Sequence, residues 1–329
     1  MPSNLSQNKA SRRSSVAICI ATFRRPRLLQ ELLDALALLI FQKVPTPEVR
    51  VIVVDNDESH TAEATCDVWR FPWTLHYVCE PRRGIACARN RAVAEAGDAD
   101  FLVFVDDDET PASRWLDELL WTQSQFQADV VSGLVVPTYT ADVPLWIRKG
   151  RFFRRPLFRT GDTVQLCSTN NVLLRSGILA RVPGFDEQFN LTGGEDTHFF
   201  LRVRNAGYRM VFSSEAVVYE LVTRSRANLP WLLRRAYQAG NSWALCEREL
   251  RPRAGTSINR AFTALAHFCR GLALAAPSLY LGRAAFVRSL QEACSGTGML
   301  TALVGHRFLP YRDAGIGAVS ASTHATRAS

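Results

Sequence analysis

Short apolar runs alternate with segments of helical periodicity through the first half of the chain, and the runs end on polar or acidic residues. Val16–Ala21 predicts a buried parallel strand that ends at Thr22. Pro26 then stands where a helix can begin, because its missing N–H is one that a helix start leaves unpaired anyway. Leu28, Leu29, Leu32, Leu33, Leu36 and Leu39–Ile40 follow at helical spacing. Val49–Val54 predicts a second strand, closed by Asp55-Asn56-Asp57, and a helical stretch continues to about Arg70. Leu75–Cys79 predicts a third strand, and Gly84–Gly97 an alanine-rich helix stopped by Gly97. Phe101–Val105 is the most apolar strand and runs straight into Asp106-Asp107-Asp108-Glu109, after which Pro111 is expected to open a helix to about Phe126. In the second half, Val130–Val136, Val164–Leu174 and Arg209–Tyr219 read as strands and Glu195–Ala206 as a helix. After Pro230 the pattern is helical, with Leu232, Leu233, Ala236, Tyr237, Trp243 and Leu245, and then an Ala/Leu-rich tail.

This alternation predicts an α/β fold with a mainly parallel central sheet flanked by helices. Ligands of such sheets bind at the carboxyl ends of the strands, where Thr22, Asp55 and Asp106–Asp108 stand.

The 329 residues are 47% hydrophobic and 21% charged, which excludes a disordered or fibrous chain. Gly271–Gly282 and Ala293–Val304, two uncharged stretches near the C-terminus, fall short of the ~18–20 apolar residues that span a bilayer. Val16–Ala21 is too short for the ~7–15-residue apolar segment of a secretory leader. The eight cysteines contain no C-x-x-C pair, so neither a zinc framework nor a disulfide framework is indicated. These features predict a cytoplasmic protein in a reducing compartment. The net charge of +8 is almost all arginine, and six basic residues against one acid fall within Asp142–Arg159. Such clustering points to an anionic partner (nucleotide phosphates, an anionic membrane face or nucleic acid), or else to a solvated arginine-rich surface.

The acidic run is the strongest chemical signal. Adjacent carboxylates at the end of a buried strand repel one another, and a divalent cation removes that conflict. Positions i and i+2 leave a strand end on the same side, so Asp106 and Asp108 can face one ion. The alternative is an acidic turn or a helix cap ahead of Pro111. Gly193-Gly194-Glu195-Asp196 forms a tight turn with acids at a helix start, read either as an acceptor-side loop or as a simple cap. Arg82–Asn90 places a glycine, a helix start and arginines together, which reads as an anion seat or a solvated basic helix end. Asp55 reads as a ligand for a base or a ribose hydroxyl, or as a turn residue.

Taken in order, Ala21-Thr22-Phe23-Arg24-Arg25-Pro26, VIVVDND at Val51–Asp57, GIACARN at Gly84–Asn90, FVDDDE at Phe104–Glu109 and GGEDTHFFLR at Gly193–Arg202 resemble the bacterial family 2 inverting glycosyltransferases. The tone of these motifs is most like the non-processive glucosyltransferases of exopolysaccharide and lipid-linked glycan pathways. The resemblance covers roughly Ser15 to Leu245 and implies the GT-A nucleotide-diphospho-sugar transferase fold. It implies a UDP-sugar donor held by Thr22, Asp55, Arg89, Asp106 and Asp107, and Mg²⁺ or Mn²⁺ on Asp106 and Asp108. It also implies Asp196 as general base with Glu195 on the acceptor side, and transfer of a hexose, glucose first, to a glycan or lipid-linked acceptor. Two departures stand out: the Q-x-x-R-W pattern of processive synthases is absent around Trp231–Trp243, and Tyr219-Glu220 stands where many relatives carry a histidine.

The chain is expected to divide into a disordered basic tail at 1–14, a catalytic domain at 15–250 (15–110 the nucleotide half, 111–250 the acceptor half) and a helical extension at 251–329. Ile258, Ala261, Phe262, Leu265, Phe268, Leu272 and Ala276 recur at helical spacing among Arg260, His267 and Arg270, with Pro277 expected to interrupt the helix. This segment reads as an amphipathic helix on an anionic membrane face, hence a peripheral protein at the inner surface, or as a lid on the catalytic core. Two other functions fit part of the sequence. The string Asp106-Asp107-Asp108-Glu109-Thr110 also fits the D-x-D-x-T nucleophile motif of haloacid-dehalogenase-type phosphatases, but three strands precede it and Lys149 is the only later lysine. A nucleic-acid-binding protein fits the charge, but no helix-turn-helix, zinc or RNP pattern accompanies it, so no nucleic-acid partner is expected.

Overall fold

The structure is a computed structural model that describes residues 13–70, 72–250 and 254–310. The expected tail at 1–14 lies outside the described residues except for Arg13 and Ser14. Four parallel strands, β1 (Ser15–Thr22), β2 (Glu48–Asp55), β3 (Thr74–Cys79) and β4 (Phe101–Val105), pair in the order β3-β2-β1-β4. Their apolar runs are continuous because helices cover both faces of the sheet. On one face Val16, Ile18 and Ile20 meet Leu29, Leu32, Leu33 and Leu36 of α1 (Pro26–Ala37). On the other, Ala17 and Cys19 meet Ala86, Ala88 and Ala92 of α3 (Ile85–Glu95), whose small side chains let the helix lie close. The α1 leucines are fully buried, each contributing ~1.5–3 kcal/mol by leaving water. A short α2 (Glu63–Val68) connects β2 to β3.

The sheet then continues with a change of direction. β7 (Asn171–Arg175) pairs antiparallel with β4, and β6 (Val130–Tyr139) antiparallel with β7. β8 (Met210–Val222) runs parallel to β6, and the three-residue β5 (Glu109–Pro111) closes the edge antiparallel to β8. Between Gly133 and Leu134 the register jumps from Ser213 to Val217, so β8 bulges there. Asn171 fills the gap, donating to the carbonyls of Leu134 and Ala216 at 3.0 and 2.9 Å and accepting from the Trp115 indole at 2.8 Å. A Cβ on Gly133 would lie 2.4 Å from this amide and from the Ala216 carbonyl, so the bulge needs glycine.

Three local expectations are corrected. Pro111 ends β5 instead of opening a helix, and α4 (Trp115–Phe126) starts four residues later. The long β8 captures Glu109–Pro111 as an edge strand, a place that tolerates proline's missing donor. Of Val164–Leu174 only Asn171 onward joins the ladder, because the polar Ser168-Thr169-Asn170 turn enters the site described below. Pro277 does not break its helix: α8 (Ala254–Ser278) runs through it and gives way to a 3₁₀ turn at Leu279–Leu281. A short α5 (Leu145–Gly150) follows β6, and α6 (Glu195–Asn205) precedes β8. α7 (Leu229–Leu250), α8 and α9 (Arg283–Leu303) pack through glycines. Gly240 of α7 meets the Ser295 carbonyl, and Gly298 of α9 meets that of Tyr237. All eight cysteines are unpaired.

Candidate active site

The pairing Cys19↔Phe104 fixes what meets at the carboxyl ends of β1 and β4. Three residues further along, Thr22 at the end of β1 faces Asp107 just past β4, and the hydroxyl donates to Asp107 Oδ2 at 2.8 Å. Arg25, at the start of α1, donates to Asp107 Oδ1 at 3.0 Å and lies 3.6 Å from Asp108. Thr22 and Asp107 are buried, at 3% and 5% exposure, and together form the floor of the cleft. Beside them Asp55 pairs in register with Thr22. Its carboxylate accepts main-chain N–H groups from Ala62 at 2.8 Å and Asp57 at 3.1 Å, and the Tyr77 hydroxyl at 3.2 Å. Asp55 thus ties down the turn after β2.

The acidic run diverges: Asp106 turns to Arg89, Asp107 and Asp108 share Arg25, and Glu109 meets no cation among the described residues. Asp106 keeps a 40% exposed side chain and accepts from Arg89 at 3.1 Å. Asp108 meets Arg226 at 3.2 Å as well as Arg25. Arg226 also binds Glu220. Glu109 turns inward and accepts from Asn170 at 2.9 Å. Burial, then repulsion from Asp106 and Asp107, pushes the Asp108 carboxyl up to about 6, against the pull of Arg25 and Arg226. Burial lifts Glu109 well above the usual carboxylate range.

Arg89 connects the two halves of the cleft. It is 7% exposed on α3 and binds both Asp106, past the end of β4, and Glu195, the first residue of α6. Burial pushes the Glu195 carboxyl up to about 7, with Arg89 opposing and Asp196 adding to the rise. Gly194 makes the turn into α6 with φ +94°, and a Cβ there would lie 2.9 Å from Ser242 of α7. Both acids therefore sit in the first turn, where the helix dipole favours negative charge. Asp196 is half-buried, and its Oδ2 accepts from the Ser168 hydroxyl at 2.9 Å, its Oδ1 from Thr197 N–H at 2.6 Å.

One expected anion seat is already filled. Asn190 Oδ1 accepts from the N–H groups of Ala86 and Cys87 at 3.0 and 3.1 Å, so an internal side chain caps the start of α3. Arg82 is held by Glu80 and Glu187, and Arg83 lies over the Phe23 ring. Sequence reading assigned no role to Arg25, Arg226 or Ser168. Arg25 stands within the first motif and was within reach, whereas Arg226 and Ser168 carry no local signal.

The profile described as Glycosyl transferase family 2 matches residues 17–182, ending before the Gly193–Asp196 turn. Over 233 residues the chain is 36% identical to the succinoglycan biosynthesis protein ExoM of Rhizobium meliloti (strain 1021), covering 69% of this chain and 73% of ExoM. Among solved structures, the mannosyltransferase PcManGT from Pyrobaculum calidifontis, in complex with GDP-Man and Mn²⁺, aligns with TM-score 0.60 at 18% identity, over 92% of this chain and 90% of that one. Staphylococcus aureus TarS 1-349 in complex with UDP-GlcNAc aligns with TM-score 0.51 at 15% identity, over 89% and 92%. At these identities the structural likeness is one of fold.

Proposed function

The chain belongs to glycosyl transferase family 2 and has the GT-A fold, and from that premise we propose that it moves a hexose, glucose first, from a UDP-sugar to a hydroxyl of a glycan or lipid-linked acceptor. The observation that carries this reading is the Arg89 bridge, which brings Asp106 on the donor side and Glu195-Asp196 on the acceptor side to one cleft. The kinship with a succinoglycan biosynthesis protein supports an exopolysaccharide setting, and the nucleotide sugars bound by the fold relatives support a donor of that class. Residues 15–110 then hold the donor and 111–250 the acceptor, with α8 and α9 forming the described part of the extension at 251–329. No observation favours the phosphatase or the nucleic-acid reading.

In this proposal Thr22, Asp55 and Asp107 set the floor under the nucleoside, and Asp106 and Arg89 face its ribose and diphosphate. Asp106 and Asp108 would hold Mg²⁺ or Mn²⁺. The donor set fits, being hard carboxylate oxygens, and burial together with repulsion from its neighbours has already raised Asp108. When bound, such an ion offsets the charge that grows on the leaving diphosphate. Arg25 and Arg226, which pair with Asp108 in this structure, are placed to turn to the phosphates. Asp196 takes the proton of the attacking hydroxyl, and Ser168 and the Thr197 main chain hold its carboxylate in place. Attack opposite the leaving group inverts the anomeric centre, so an α-linked donor gives a β-linked product. One transfer per encounter is consistent with the missing processive pattern.

The test is protection against thermal unfolding by a panel of sugar nucleotides, with Mg²⁺ or Mn²⁺ and with chelator. UDP-glucose is expected to protect only when metal is present. Asp108→Asn is expected to lose at least about tenfold in that metal-dependent affinity, with no loss of stability, since a repulsive cluster sheds one charge. Metal-independent protection, or protection that survives Asp108→Asn, overturns the metal assignment. GDP-mannose protecting in place of UDP-sugars overturns the donor assignment.

We further propose that the extension rests on a membrane surface. Among the described residues no helix is long and apolar enough to cross a membrane. α8 nevertheless exposes Ile258, Phe262, Leu265, Leu272 and Leu274, and the turn after it exposes Leu279, Tyr280 and Leu281. The basic side is weaker than its sequence implied: Arg260 turns inward toward Glu247, while His267 and Arg270 share Glu292. Insertion of the apolar face therefore carries the attachment, with anionic lipid adding about 1 kcal/mol for each arginine near the surface. Removing the extension would uncover the α7 face that α9 covers, so point variants are the better probe. The native chain is expected to sediment with anionic vesicles at low salt, and Leu279→Asp with Leu281→Asp to stay in the supernatant. No sedimentation, or equal sedimentation of both proteins, removes the membrane surface from the account.

A further inference from the structure

On α6, His198 lies two residues beyond Asp196 and about 200° around the helix, so it faces away from the cleft. It is 2% exposed, packs against the Phe189 ring at 4.9 Å, and neither ring nitrogen makes a hydrogen bond. Asp186, ahead of α6, and Glu249, in the last turn of α7, converge on it. One ligand atom from each of the three lies within 4.8 Å of the others, with His198 Nε2 and Glu249 Oε1 3.6 Å apart. The two carboxylates crowd one another and share the Gln188 amide, which donates to Asp186 Oδ2 at 2.9 Å and to Glu249. Arg202 is near, but its terminal nitrogens donate to the carbonyls of Pro183 and Gly184.

We propose that Asp186, His198 and Glu249 form a second metal site, separate from Asp106 and Asp108, that takes a first-row divalent cation, with Zn²⁺ the best match. A buried imidazole without a partner is costly, and so are two facing carboxylates whose hydrogen-bond donors, the side chain and main chain of Gln188, carry no charge. A single cation satisfies all three groups. One imidazole and two carboxylates are a ligand set that suits zinc, with bonds of about 2.0–2.2 Å. Ligand atoms around such an ion stand about 3.4 Å apart, so the site must close by about an ångström. Glu249 is exposed and free to move that far, and its open side leaves room for a water as fourth ligand. The ion would clamp the end of α7 and the Asp186 turn onto the helix that carries Asp196. Its role is to hold that helix in place, since His198 faces away from the cleft.

The experiment uses the full chain in the Asp108→Asn background, stripped with chelator and free of nucleotide, so that the donor-side ligands do not compete. Zinc is titrated against a chromophoric chelator, with thermal unfolding followed in parallel. One Zn²⁺ per chain with a rise in Tm is expected. Asp186→Asn with Glu249→Gln should lower the affinity at least tenfold and abolish the rise. Asp186→Asn keeps the acceptor for Gln188 N–H, and both side chains reach solvent, so this pair decides the matter even where His198→Asn fails to fold. No zinc bound at micromolar concentration, or native affinity in the double variant, overturns the site.

Discussion

Asp196→Asn is expected to bind donor like the native chain and to transfer sugar ~10²–10⁴-fold more slowly, the usual contribution of a positioned base. The amide keeps the shape of the side chain and an oxygen for Thr197 N–H, so the first turn of α6 stays intact. What it loses is the capacity to take a proton. Initial rates of transfer, measured beside donor protection against unfolding, separate the two effects. A variant that transfers at near the native rate places the base elsewhere, and one that loses donor protection makes Asp196 part of the donor seat.

Arg89→Met is expected to cost about 3–5 kcal/mol of stability, because it removes the cation from the buried Glu195 carboxylate. Glu195 is 5% exposed and its Oε2 already lacks a partner, so nothing else nearby can compensate its charge. The loss should depend on pH, and the sign follows from Glu195. Its folded-state value, about 7, lies above the ordinary value of 4.5, so the folded chain binds the extra proton between those limits. Stability from this group is present below that window and falls as pH rises through it. Without the opposing guanidinium the folded value climbs further, and the variant's deficit should be larger at pH 8 than at pH 5. Urea unfolding of both proteins at the two pH values measures this. An equal deficit at both, or one below about 1 kcal/mol, would mean that Glu195 is not the group left stranded.

Local order was legible wherever neighbouring residues decide it. Val16–Ala21 and Phe101–Val105 read as buried strands because a strand covered on both faces must be apolar at every position. The leucines of α1 read as a helix because a single stripe meets the sheet. The acidic run announced itself at the end of β4 for the same reason, as four charges directly after the most buried strand. Which partner each charge takes was not legible. Asp108 meets Arg226 across 118 residues, and Arg89 meets Glu195 across 106. Asn190 caps a helix that begins over a hundred positions earlier, at a place where the sequence left room for an anion. Pro111 became an edge strand only because β8 passes beside it. Asp186, His198 and Glu249 form no motif at all. By itself the sequence determined which segments are strands and helices, and that carboxylates gather where strands end, since periodicity and burial act on consecutive residues. The tertiary structure decided which charges neutralise one another and which buried groups are left wanting a partner, since those depend on packing between segments far apart in the chain.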